Sequence, residues 1–180
     1  LPISHDEVVH GKRSLLNKMY GDYDQRFELM RTFMMYMYGH PGKKLTFMGT
    51  EFAQYDEWKE FQGIDFMLLD FEKHKKMHKF TKDLNNLYIS SSELYEIDYS
   101  WEGFRWLSVD DNQNNVIAFE RKNKKGDIVI CIYNFSPVRH ENYRVAVEDG
   151  KYVEVLNSND KRFGGNGTTY GEIESEHYRI

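Results

Sequence analysis

The chain has 180 residues and a formal net charge of -5, with 24 Lys and Arg against 29 Asp and Glu. A mildly acidic surface repels nucleic-acid phosphates and anionic lipid, which argues against both as major partners. Hydrophobic residues make up 40% and aromatics 16%, ample for a packed core, yet no apolar run approaches the ~20 residues of a membrane-crossing helix. Residues 1–4 read as the end of a strand. Leu1 is not an initiator Met, no signal-peptide pattern precedes the first polar cluster, and an extended segment begins near residue 174. Both ends therefore read as those of a fragment.

In chain order, a helix is expected from Asp24, with Phe27, Met30, Phe33, Met34 and Met37 at three- and four-residue spacing and Gly39 and Pro41 as its stop. Residues 44–48 (Lys-Leu-Thr-Phe-Met) read as a short buried strand. Residues 51–72 mix aromatics and charges without a period and are expected to form a functional loop with short helical turns. A second helix is expected over about 75–88, with Met77, Phe80, Leu84 and Leu87 on one face. Strand, helix, strand, helix is the pattern of a parallel α/β unit.

Beyond Ser90 the pattern changes. Residues 104–109, 116–121, 128–135, 143–147 and 152–156 are short alternating or apolar runs separated by turn signals such as Lys125-Gly126-Asp127. That predicts an antiparallel all-β domain, with the boundary between Ser90 and Trp101. Cys131 lies in the apolar run 128–133 and is the single cysteine, so no internal disulfide is available and a reducing cytoplasm is the expected setting.

The densest polar cluster is Ser4-His5-Asp6-Glu7-Val8-Val9-His10-Gly11-Lys12, directly after the first apolar run. In a parallel barrel, groups at the C-terminal end of a strand face the active-site mouth. A polar loop carrying no more than a helix cap accounts for the cluster equally well. A zinc site built on His5 and His10 fails on spacing and lacks a Cys pair. Glu51 and Gln54 occupy the corresponding position after the second expected strand, where a solvated loop is the commoner role. Of the aromatics most read as core; Trp58, between Glu57 and Lys59, is the least like core and suits stacking on a sugar ring. The run 164–167 (Gly-Gly-Asn-Gly) lacks the Lys-Ser/Thr ending of a phosphate loop and reads as a turn.

His-Asp-Glu-Val-Val-His-Gly-Lys at 5–12 and Arg13-Ser14-Leu15-Leu16 closely resemble a stretch of the bacterial glycogen (1,4-α-glucan) branching enzymes, members of the α-amylase superfamily. The likeness continues through Pro41-Gly42-Lys43-Lys44-Leu45-Thr46-Phe47-Met48-Gly49-Thr50-Glu51-Phe52-Ala53-Gln54, Glu57-Trp58, Asp83-Leu84-Asn85, 103–111 and Asn134-Phe135-Ser136-Pro137. It implies an α/β then all-β fold: residues 1–92 as the last two βα units of a (β/α)8 TIM barrel, and 93–180 as a C-terminal antiparallel β-sandwich domain. It implies a retaining double displacement by an Asp nucleophile and a Glu acid/base, both on earlier strands and matched by no segment here. Asp6 matches the family's third carboxylate, a transition-state stabiliser, and His5 the neighbouring histidine that binds the same sugar. Glu51, Lys12 and Trp58 are expected to line the glucan site.

On that resemblance the intact protein transfers α-1,4-glucan chains to 6-hydroxyls, with no metal or other cofactor. This segment alone is expected to be inactive and to self-associate through open barrel edges. The rivals are a debranching enzyme or amylase of the same superfamily, and a non-catalytic glucan-binding module.

Overall fold

The computed structural model describes residues 3–175 and 180. Leu1, Pro2 and residues 176–179 of the expected C-terminal extended segment lie outside the described residues. Helix α1 spans Leu15–Lys18, α2 Tyr23–Gly39 and α3 Glu72–Ser90. Strands β1 (Phe104–Asp111), β2 (Val116–Lys122) and β3 (Ile128–Asn134) form one antiparallel sheet in that order. Strands β4 (Lys151–Val153) and β5 (Glu172–Glu174) form a second. Among the described residues no helix is long and apolar enough to cross a membrane.

Helix α2 starts where its sequence supplies a capping box. The Asp22 carboxylate accepts from the amides of Asp24 and Gln25, and the Gln25 side chain accepts from the Asp22 amide. Three backbone amides otherwise orphaned at the start of the helix are thereby satisfied. Its buried face is Phe27, Met30, Met34 and Met37, set against Met77, Phe80 and Leu84 of α3. Helix α3 begins at Glu72, earlier than its apolar period indicates, because its first turn is polar apart from the buried His74.

Among the described residues neither expected strand of the first half forms, and Leu1 and Pro2 of the first lie outside them. Ile3 lies in a bend, and residues 44–47 form no regular element and run into a turn at Met48, with Leu45 and Met48 exposed rather than buried. A strand is defined by the ladder it joins, and among the described residues neither segment pairs in one. The β half follows its turn chemistry more closely. Positive-φ Asn115 and Gly126 (53° and 94°) turn the chain into β2 and β3, and β2 pairs with β3 over seven residues from Val116↔Asn134 to Lys122↔Ile128. Residues 143–147 form no strand; Val145 instead exchanges both backbone hydrogen bonds with Ile180. The run expected over 152–156 is the shorter β4, paired with β5.

The sheet packs directly on α2. Tyr133 donates its hydroxyl to the Met35 carbonyl at 3.0 Å, and its ring meets Tyr36 edge-on at 5.5 Å. Gly39 is required at this contact, since a Cβ there would lie 2.2 Å from the Tyr133 hydroxyl. A second tie comes from the segment after β4. Phe163 is fully buried among the α2 and α3 side chains, T-shaped to Phe80 at 5.1 Å, and Arg31 donates to the Ser158 carbonyl at 2.8 Å. Cys131 is buried in the same sheet–helix layer, and that burial pushes its thiol up to about 11. Iodoacetamide at pH 8 is expected to leave Cys131 unmodified in the folded chain and to label it fully in guanidinium, as mass spectrometry would show; rapid labelling of the native chain would contradict this packing.

Candidate functional site

The polar cluster 5–12 is shaped by its own residues. Ser4 caps a single 3-10 turn, His5–Glu7: its hydroxyl accepts from the Asp6 amide, and Glu7 accepts from the Ser4 amide at 2.6 Å. These contacts hold the Glu7 carboxyl below its ordinary range, chiefly through the Ser4 amide. Ile3, Val8 and Val9 are buried on either side of the turn. Pinned by its apolar flanks, the turn presents Asp6 outward, with 69% of its side chain accessible. His5 Nε2 lies 3.2 Å from Asp6 Oδ1, an exposed pairing that orients the two groups but adds little stability. Asp6 therefore sits in a capped 3-10 turn that follows directly on the bend at Ile3.

Two lysines brace the turn from behind. Lys12 Nζ donates to the Asp6 carbonyl at 2.7 Å, and Lys18 Nζ donates to the Glu7 carbonyl. The loop from 49 to 58 closes against this segment. The Trp58 amide donates to the Val8 carbonyl at 3.1 Å, and Ser14 and Asn17 both donate to the Tyr55 carbonyl at 2.6 Å. Phe47 stands between the expected site residues, 6.3 Å from the His5 ring and T-shaped to Trp58 at 5.3 Å. Between the two loops lies a shallow cleft lined by Val8, Ser14, Met48, Thr50, Asp56 and Trp58.

The structure thus brings His5, Asp6, Lys12 and Trp58 into one connected neighbourhood. Trp58 is half-buried against Phe47, so one face of its indole is already committed to packing. Glu51 is not part of this network. It lies in a 3-10 turn, Thr50–Phe52, bounded by the left-handed Gly49 and Ala53, and that turn leans on α3, where His74 bonds the Phe52 carbonyl at 2.8 Å. Gln54 is a structural pin rather than a free polar group, exchanging two hydrogen bonds with Asp65 at 2.6 and 2.9 Å. The residue that sequence reasoning missed is Glu57, which joins the two loops. An acidic side chain beside a tryptophan in a polar loop carries no local signal of such a partner. Among the described residues no group of His, Cys, Asp and Glu is arranged to hold a metal.

Comparison with known proteins bears on what these loops belong to. Residues 106–179 match the family described as the alpha amylase C-terminal all-beta domain. The chain is 49% identical over 172 residues to a 1,4-alpha-glucan branching enzyme, GlgB 1, of Clostridium perfringens, covering 93% of this chain and 25% of that protein. It is 50% identical over 169 residues to the GlgB of Halothermothrix orenii, covering 93% of this chain and 27% of that relative. The GlgB of Bacillus anthracis is 48% identical over the same share of the chain. The chain spans about a quarter of the length of these curated relatives. Along 93% of its residues the chain is thus near one-half identical to part of proteins named 1,4-alpha-glucan branching enzyme, with a segment similar to the alpha amylase C-terminal all-beta domain following the Asp6 loop.

Proposed function

We propose that this chain is the part of a 1,4-α-glucan branching enzyme that carries the third carboxylate of its active site. The whole protein would cleave an α-1,4-glucan and transfer the freed oligosaccharide to a 6-hydroxyl, making an α-1,6 branch in glycogen. The observation that carries this reading is the eight-residue run His5–Lys12, folded so that its buried flanks present Asp6 outward, within a chain near half identical to such enzymes.

In this reading residues 1–92 form the last βα units of a (β/α)8 barrel, where the segment 44–48 and the stretch before Ser4 gain their ladders from neighbouring strands. Residues 93–180 form the β domain that follows. Asp6 accepts hydrogen bonds from sugar hydroxyls of the reacting ring and offsets charge as the oxocarbenium-like state develops, and His5 holds the same sugar. Trp58 offers its free face to a glucose ring, with Lys12 and Glu51 at the margin. The chemistry needs no cofactor, and a cytoplasmic setting suits the buried, unpaired Cys131. The segment by itself would bind glucan at most, and its uncovered barrel edges would favour self-association.

The test is the product formed by the full-length protein on amylose. α-1,6 linkages should accumulate while iodine staining falls and reducing ends stay nearly constant. Release of reducing ends without new branches would mark a hydrolase and overturn the proposal. Glucan binding without turnover would mark a binding module.

A further inference from the structure

We infer that Glu57 is a positioning residue for Asp6, a latch that fixes the loop carrying the candidate carboxylate; the inference rests on the function proposed for Asp6. Glu57 Oε1 accepts from the Gly11 amide at 2.9 Å and Oε2 from the Arg13 amide at 2.7 Å. Those two amides converge because the backbone around them is left-handed: His10, Gly11 and Arg13 have φ of 58°, 79° and 70°. Successive amides turned inward in this way make a concavity that suits an anion, and one carboxylate with two oxygens fills it. For His10 and Arg13 the conformation is unfavourable, so something outside the loop must hold it.

The consequence reaches Asp6 through one residue. Lys12 lies between the two clamped amides, and its ammonium is bonded to the Asp6 carbonyl at 2.7 Å. Glu57 therefore sets the backbone of Lys12, and Lys12 sets the main chain of Asp6. The neighbouring Trp58 amide, bonded to the Val8 carbonyl at 3.1 Å, keeps Glu57 in register with the far side of the same turn. The His10 ring and the Lys18 ammonium face Glu57, and Asp56 and Lys59 flank it on its own loop. The two backbone amides hold its carboxyl below the ordinary glutamate range, so the latch stays closed as pH falls through that range and opens as pH falls through the depressed value.

The test has two arms. In the 15N-labelled chain, the Gly11 and Arg13 amide resonances should move together on acidification, with a midpoint below the ordinary Glu value of about 4.3. In E57Q, which has one accepting oxygen where the carboxylate has two, that titration should vanish and both amides should exchange faster. Amides that ignore Glu57 would overturn the latch. In the full-length enzyme E57Q should lower kcat about tenfold with KM for glucan within about twofold, because only the alignment of Asp6 is disturbed. In an Asp6→Asn background it should cost nothing further, since its effect runs through Asp6. An unchanged kcat, or an equal loss in both backgrounds, would overturn the positioning role. Full activity of Asp6→Asn alone would instead sink the reading of Asp6 and leave the amide titration standing.

Discussion

On the function proposed, Asp6→Asn in the full-length protein is expected to lower kcat by roughly 100- to 1000-fold while KM for glucan moves by less than about threefold. The side chain is exposed, and the turn that carries it is held by Ser4, Glu7, Lys12 and buried Ile3, Val8 and Val9, none of which bonds the Asp6 carboxylate. An amide of the same shape thus keeps the fold, and the melting temperature should shift by no more than ~2 °C. What it removes is negative charge at the position where a developing oxocarbenium ion would need it. Contacts that strengthen only in the transition state appear in kcat, whereas a merely sugar-binding Asp6 would raise KM and leave kcat alone. Retention of more than about half the wild-type turnover would sink the assignment of Asp6.

Arg121→Met is expected to destabilise the chain by about 3–5 kcal/mol in urea or guanidinium unfolding. Arg121 is wholly buried, and its guanidinium joins three parts of the molecule: Nη2 to Asp98 at 2.9 Å, Nη1 to the Gly39 carbonyl at the end of α2 at 2.6 Å, and Nε to the Gly103 carbonyl at 3.3 Å. Removing it strands a buried carboxylate whose other oxygen, Oδ2, already lacks a partner, and leaves two carbonyls to find new donors. Lys44, whose ammonium burial lowers to about 8, is the neighbouring cation that would feel the freed charge of Asp98. The double variant Arg121→Met with Asp98→Leu should recover part of the loss, because no unpaired charge then remains. A loss under 1 kcal/mol in the single variant would show that the pair does not clamp the helix layer to the sheet.

How much of this was legible beforehand follows from how local each cause is. The periodic apolar residues of α2 and α3 lie within one or two turns of the positions they govern, so both helices could be read directly. The same holds for the β1–β2–β3 hairpins, whose turn residues sit beside the strands they join. The His5–Lys12 run carried the family resemblance because its chemistry is contiguous in sequence. The segment at 44–48 joins no ladder among the described residues, since a short apolar run states only that a chain is suited to a ladder and a partner must complete it; the strand expected over 1–4 begins outside the described residues.

Tertiary structure alone decided the rest, because the partners are distant along the chain. Phe163, just before what reads as a glycine-rich turn, is buried against Phe80 more than eighty positions earlier. Arg121 stands in a strand as an ordinary charged position until Gly39, Asp98 and Gly103 surround it. Glu57 becomes a clamp only when left-handed His10, Gly11 and Arg13 turn two amides toward it across 46 and 44 positions of sequence. By itself the sequence determined which residues are able to do chemistry, through short motifs whose members are neighbours. Which of them are held in place, and by what, was decided by contacts between segments that meet only once the chain is folded.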